Sequence, residues 1–373
     1  MMSSSQLSHL QKALDRRKEN GTFRSLRSKS EGIDFYSNDY LGLSGNKEFQ
    51  QKILQEITNN PALLSGSTGS RLISGNSFVA TETEEYIARQ HQYASALLFP
   101  SGYNANLALF STLPGRNDTI IVDEQIHRSV HDACTLSHAK KIKFKHNNLK
   151  DLEEKLERQG RGCYIGIESL YSMEGDFAPI EEIAELAYRY DAHLIVDEAH
   201  AFGVFGYGLV AKYQLQDKIF ATVITYGKAL GAHGAAILTS HLVRDYLINF
   251  ASPFIYTTSA QDVQWMSIKT GYDFLKIHPQ LPEKLKHNIN FLRTQGLKTP
   301  SSEDSPIQAI LIPDNQQLKA LQQTLSEKGI LTYAIYSPTV KEGTERLRIC
   351  LHSFNTGEEI MELVRTIKEA IYM

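Results

Sequence analysis

Two ionisable residues sit where buried strands are predicted to end. Lys228 lies in the small-residue turn Thr225-Tyr226-Gly227-Lys228-Ala229-Leu230-Gly231, directly after the apolar run Phe220 to Ile224. Upstream, the apolar run His193 to Val196 ends in Asp197-Glu198-Ala199-His200. A lysine in such a place is partly desolvated, which lowers its pKa and favours nucleophilic use. An amine and a carboxylate at the ends of two buried strands are what a pyridoxal phosphate site needs. The amine forms a Schiff base with the aldehyde, and the carboxylate keeps the pyridine nitrogen protonated so that the ring can act as an electron sink. Singly, each residue has a plainer reading: Asp197 could cap the following turn, and most lysines are solvated at the surface.

Other residues fall at strand ends too. Ser101-Gly102-Tyr103 follows an apolar strand and opens a helix, so its free N–H groups could seat a phosphate or merely form a tight turn. His127, in Asp123-Glu124-Gln125-Ile126-His127, could be a surface histidine or stack on a planar cofactor. His200 could be a hydrogen-bonded core residue or touch the cofactor's phenolic oxygen. Arg346 and Arg348 alternate on one strand and so share a face. An arginine fork grips a carboxylate well, though a structural ion pair is as common a reason for it. The stretch Gly66-Ser67-Thr68-Gly69-Ser70-Arg71-Leu72-Ile73-Ser74-Gly75 lets backbone approach a ligand closely.

The elements that would position these residues alternate. Helix Thr81 to His91 precedes strand Ala94 to Phe99, and helix Asn104 to Ser111 precedes strand Thr119 to Val122. Helix Leu149 to Gln159 precedes strand Cys163 to Glu168, and helix Ile180 to Tyr190 precedes strand His193 to Asp197. Near-continuous apolar strands between amphipathic helices predict an α/β fold with a mostly parallel sheet covered on both faces. In such sheets a ligand lies beyond the carboxyl ends of the strands. A helix over Ser5 to Glu19 and a short strand at Ile33 to Ser37 read as an arm packed on a neighbour. A further helix is predicted at Leu281 to Gly296. From about Ile307, strands Ala309 to Ile312 and Arg346 to Leu351 mix with helices Asn315 to Lys328 and Thr356 to Tyr372, as in a smaller α+β domain. The expected division is an N-terminal arm (1–45), a large cofactor-binding domain (46–270) and a small C-terminal domain (271–373).

The 373-residue chain carries a formal net charge of −3, which argues against a nucleic-acid or membrane-surface binder. Cys134, Cys163 and Cys350 are scattered and read as reduced core residues, not as a disulfide or metal framework. No secretory pattern opens the chain and no apolar run reaches membrane-spanning length, so the cytoplasm is the expected location. Val196-Asp197-Glu198-Ala199-His200 also spells the Walker B sequence of some helicases, but the phosphate loop that an ATPase needs upstream is missing. A binding or scaffold protein on the same fold remains open, because fold does not dictate function.

Taken in order, the motifs resemble the α-oxoamine synthases, fold-type I pyridoxal phosphate enzymes that condense an amino acid with an acyl thioester and lose CO2. The likeness runs from about Asp34 to the C-terminus. It is carried by Ser37-Asn38-Asp39-Tyr40-Leu41-Gly42, Gly69-Ser70-Arg71, Ser101-Gly102-Tyr103-Asn104-Ala105-Asn106, His127 and Ser172-Met173-Glu174-Gly175-Asp176. Asp197-Glu198-Ala199-His200, Thr225-Tyr226-Gly227-Lys228, Tyr256-Thr257-Thr258 and the segment from Pro338 to Arg348 complete it.

The resemblance implies that Lys228 is the Schiff-base lysine and Asp197 the partner of the pyridine nitrogen. His127 would stack on the ring, and Ser172 and His200 would bond the phenolic oxygen. Ser101, the Gly102 and Tyr103 amides and Thr225 would hold the phosphate, with Thr257 or Thr258 arriving from the partner subunit of a homodimer. Arg348, with Asn38, would bind the amino-acid carboxylate. Lys228 would remove the α-proton, and His200 would protonate the keto oxygen. The member joining L-alanine to pimeloyl-CoA, or to a pimeloyl carrier protein, is the one most resembled, and Arg24 is a candidate for the far carboxylate of that acyl chain. Relatives using glycine with acetyl-CoA or serine with a long acyl-CoA share nearly every motif, and an ordinary aminotransferase would use the same lysine and aspartate. The chain departs from the family pattern at Ala80, where a histidine is frequent, and at Tyr336-Ser337-Pro338-Thr339-Val340-Lys341.

Overall fold

The structure, a computed structural model, describes residues 7–19, 23–26, 31–337 and 340–372. A two-residue strand, β1 (Ile33–Asp34), comes first. Seven strands of one sheet follow: β2 (Ser95–Phe99), β3 (Thr119–Asp123), β4 (Lys140–Phe144), β5 (Cys163–Glu168), β6 (His193–Asp197), β7 (Ala221–Thr225) and β8 (Ala235–Thr239). Their order is β2-β8-β7-β6-β5-β3-β4. Within this sheet β8 runs antiparallel to both its neighbours, and the other pairings are parallel. That is the mostly parallel α/β architecture predicted from the sequence.

Alternate side chains leave opposite faces of a strand, and here both faces are dry. Ile120 and Val122 of β3 join a core with Leu109 and Val130 from helices Gly102–Thr112 and Arg128–Leu136. Ile121 joins Leu152 and Ile183 from helices Leu149–Gln159 and Ile180–Arg189 on the other side. Burial on both faces explains why the central strands are apolar throughout.

Sequence reading missed β4 and β8. The edge strand β4 reads Lys-Lys-Ile-Lys-Phe, a lysine-rich composition that guards an open sheet edge against further pairing. In β8, two alanines behind a glycine turn weaken the strand signal.

A second sheet, of order β11-β12-β9, is formed by β9 (Ile307–Leu311), β11 (Tyr333–Ile335) and β12 (Arg346–Cys350), all antiparallel. Between them β10 (Ile330–Leu331) pairs in parallel with β1. The segment after β1 is therefore not an arm free to lie on a neighbour: Phe35, Tyr40, Leu41 and Leu43 are buried in this chain's own core. Helix Ser8–Glu19, before it, buries no residue. Helix Asp262–Ile277 crosses the expected division at residue 270 and buries Trp265, Ile268 and Tyr272.

Candidate active site

The carboxyl ends of β3, β5, β6 and β7 open onto one cleft of about 300 Å3. Asn38, Ser101, Gly102, Tyr103, His127, Asp197, His200, Thr225 and Lys228, all singled out from the sequence, line it.

Asp197 ends β6 and is held from two sides. Asn106 Nδ2 donates to its Oδ2 at 2.7 Å, and the Ala199 amide donates to its Oδ1 at 2.9 Å. One side chain thus caps the turn and presents an oriented carboxylate to the cleft. Lys228 lies in the tight turn after β7. Burial pushes its amine down to about 8, against the opposing pull of Asp197 and Glu168. A buried amine in this range keeps a useful unprotonated fraction near neutral pH.

His200 is 5% exposed, with Nδ1 2.7 Å from the Tyr40 hydroxyl. Burial, helped by the charges of Lys228 and Arg348, holds its pKa well below the usual value, so the ring is neutral. The same Tyr40 hydroxyl reaches Asn38 Oδ1 at 3.2 Å, which ties His200 to the segment after β1. His127 caps helix Arg128–Leu136 by accepting from the Ser129 amide, and its ring is open to the cleft. Burial of its inner edge lowers its pKa despite the nearby Asp197.

Helix Gly102–Thr112 points its N-terminus at the cleft, capped by Ser101 Oγ, which accepts from the Asn104 amide at 3.2 Å. The first amides of a helix lack intrahelical partners. A Cβ on Gly102 would come within 2.5 Å of Thr225 Cγ2, so glycine lets the helix start close to β7 without displacing that side chain. The Tyr103 side chain turns outward to Asp132, to which its hydroxyl donates at 2.8 Å.

The two arginines of β12 divide their work. Arg346 pairs with Glu174 at 2.5 Å and is a structural ion pair. Arg348 is 6% exposed; it donates to the Ser172 carbonyl at 2.7 Å and to Asn38 Oδ1 at 3.0 Å. Ser172 does not line the cleft, and it meets Arg348 through its backbone. Thr257 and Thr258, in the link before helix Asp262–Ile277, lie outside this chain's own cleft lining, as does the exposed Arg24. Of the departures from the family pattern, Ala80 is fully buried and Tyr336 donates to Gln322 Oε1 at 2.7 Å. Pro338 and Thr339 lie outside the described residues.

Sequence reasoning gave no role to Tyr40, Asn106 or Glu168. The first two stand in the motifs already quoted, and Glu168 closes an apolar strand just as Asp197 does. That position was the available signal. Asn106 Oδ1 and Glu168 Oε1 are buried without a hydrogen-bond partner among the described residues. Unmet polar atoms, a desolvated amine, an oriented carboxylate and a helix that starts on glycine suit a phosphorylated aromatic aldehyde.

Residues 30–367 match the family model described as aminotransferase class I and II. The chain is 39% identical to the 8-amino-7-oxononanoate synthase of Emericella nidulans, across 96% of this chain and 94% of that protein. The solved 8-amino-7-oxononanoate synthase of Francisella tularensis is similar at a TM-score of 0.78 and 28% identity, covering 91% of this chain and 98% of that one. Serine palmitoyltransferase of Sphingomonas wittichii reaches a TM-score of 0.85 at 25% identity, covering 99% and 98% respectively.

Proposed function

The chain belongs to the aminotransferase class I and II family and, within it, to the α-oxoamine synthases, and on that premise we propose that it condenses L-alanine with a pimeloyl thioester of coenzyme A or of an acyl carrier protein. CO2 and the thiol leave, and the product is 8-amino-7-oxononanoate, on the route to biotin. The cofactor is pyridoxal phosphate. The observation that carries the reading is the convergence of the desolvated Lys228 amine and the doubly held Asp197 carboxylate on one cleft.

When bound, pyridoxal phosphate supplies an aldehyde that captures amines and a ring that accepts the electron pair left at a substrate's α-carbon. Lys228 would carry it, Asp197 would pair with its ring nitrogen, and His127 would cover its face. Ser101, Thr225 and the amides of Gly102 and Tyr103 would seat the phosphate. Arg348, anchored by Asn38 and the Ser172 carbonyl, offers a fixed positive charge for the alanine carboxylate. Lys228 Nζ takes the α-proton. The neutral His200 ring is suited to hydrogen bonding within the cleft, and less suited to surrendering a proton.

The same reading makes the enzyme a homodimer, with Thr257 or Thr258 of the partner subunit completing the phosphate seat. Exposed Leu64, Leu72, Ile73, Phe78 and Tyr256 support it. They gather around the glycine-rich loop, which is bound to the 259–262 segment through Ser67 and Ser259. Apolar exposure of that extent marks an interaction surface. Among the described residues no helix is long and apolar enough to cross a membrane. Three free, buried cysteines accord with a reducing cytoplasm.

The test offers the purified protein L-alanine with pimeloyl-CoA or pimeloyl carrier protein and follows thiol and CO2 release. Glycine with acetyl-CoA and serine with palmitoyl-CoA run in parallel. Release confined to either of those pairs would overturn the substrate assignment. Conversion of a 2-oxo acid without thiol release would overturn the reaction type.

A further inference from the structure

Glu168 closes β5 in register with Asp197, the last residue of β6. It lines the cleft and is 3% exposed. Two carboxyls side by side and out of water cannot both be charged cheaply when a single lysine amine faces them. Asp197 is the better-supported anion, since both its oxygens accept hydrogen bonds. The Glu168 carboxyl lies near the His127 amide, and its Oε1 meets no hydrogen-bond partner among the described residues.

The charged and titratable groups around Glu168 come from every neighbouring element. Asp197 stands on β6, Lys228 on the turn after β7, Asp123 at the end of β3, His127 in the loop that follows and Tyr171 in the loop after β5. Burial and then Asp197 push the Glu168 carboxyl up to about 8, against Lys228. A carboxylic acid that keeps its proton has an O–H to donate. A buried donor with no acceptor in the protein is costly unless a ligand supplies one.

We propose that Glu168 is a ligand-binding residue that works as an uncharged acid, its free oxygen donating a hydrogen bond to an oxygen of the bound cofactor or amino acid while Asp197 alone carries the negative charge. This rests on the cofactor reading given above and adds a residue and a protonation state to it.

The test is infrared difference spectroscopy of the holoenzyme, wild type minus Glu168→Gln, titrated from about pH 6 to about pH 10. The expected result is the C=O stretch of a protonated acid at neutral pH, giving way to carboxylate bands near pH 8. A shift of that band on adding L-alanine places the acceptor oxygen on the amino acid; a band unmoved by alanine places it on the cofactor. Glutamine keeps a donor but cannot ionise. Relative to that variant, wild-type kcat/KM for L-alanine should therefore fall about tenfold per pH unit above 8. Glu168→Asp keeps an acid and so keeps the band, which separates loss of the proton from loss of bulk. Carboxylate bands at neutral pH, or a wild-type to glutamine ratio that is flat with pH, would overturn the proposal. The infrared arm needs no turnover, so a protein that shows the band yet condenses no thioester counts against the proposed reaction and not against Glu168.

Discussion

Both ends of the seven-stranded sheet are hollow, and the larger hollow is at the wrong end for chemistry. At the amino ends of the strands a groove of about 480 Å3 is lined by Tyr188, His193, Asp217, Lys218 and Phe220. The cleft at the carboxyl ends is about 300 Å3. In the groove, Asp191, Asp217 and Lys218 stand in solvent, and His193 packs on Phe220 with ring centroids 4.3 Å apart. In the cleft, Asp197, Glu168 and His200 are buried; Asp197 raises Glu168, and Lys228 lowers His200. Strand direction accounts for the difference. Strands β2 to β6 each deliver a carboxyl end to a loop that leads to a helix, and β7 delivers its own to the turn carrying Lys228, so free amides and side chains from several loops converge there. The amino ends receive helix C-termini, which offer carbonyls and solvated charges. Desolvation and convergence, and not volume, mark the site.

The contrast can be broken most directly at its two lysines. Lys228→Ala should cut thiol release by at least about 10³-fold, whereas Lys218→Ala in the groove should stay within about twofold. Comparable losses, measured by initial rates at saturating L-alanine, would erase the distinction. The two aspartates come next. Asp197→Asn should lower kcat by about 10²-fold, and Asp217→Asn should leave it within about twofold.

Two histidines sharpen the contrast through stability. At the cleft end His146 bridges Asp123 at 2.9 Å and Asp176 at 2.8 Å. Burial works against its charge, but the two carboxylates outweigh burial and raise it to about 10. Its folded pKa lies above the unfolded value, so its contribution is complete below about pH 6.5 and is lost as pH rises through about 10. Urea midpoints of His146→Gln should lie below wild type by the equivalent of about 2–3 kcal/mol near pH 6, and should converge with it above about pH 10. At the groove end burial lowers His193, against Asp191 and Asp118. There the sign reverses: the neutral ring fits above its usual pKa, and stability is lost as pH falls below it. His193→Gln should therefore gain on wild type in acid. A gain in alkali, or a His146 effect that does not change with pH, would contradict these assignments. The smallest effect is expected at Gly102→Ala, where the new methyl meets Thr225 Cγ2. Cofactor affinity should weaken by about tenfold with little change in urea midpoint.

The large sheet was legible because its central strands are buried on both faces and announce themselves as apolar runs between amphipathic helices. The lysine-rich β4 and alanine-rich β8 answer to edge protection and close packing, and neither leaves a periodic pattern. Helices Lys47–Asn59 and Asp262–Ile277 also went unread; the second interrupts its apolar face with polar residues such as Lys269 and Asp273. Within the site, residues following an apolar strand could be read off directly: Ser101, His127, Asp197, His200 and Lys228. Side chains that reach in from afar could not. Tyr40 meets His200 across 160 positions and Asn38 meets Arg348 across 310, so no local pattern records either contact. The outward turn of the Tyr103 side chain and the spending of Arg346 on Glu174 are likewise settled by packing.

The pairing of β1 with β10 has a consequence for how this enzyme is made. A ribosome releases Asn38 310 residues before Arg348. The large sheet can assemble while translation continues, as amino-terminal units commonly do. The contact between Arg348 and Asn38 cannot, because one half of it is not yet written. A nascent chain could therefore hold the large sheet and still lack the proposed grip until β12 emerges.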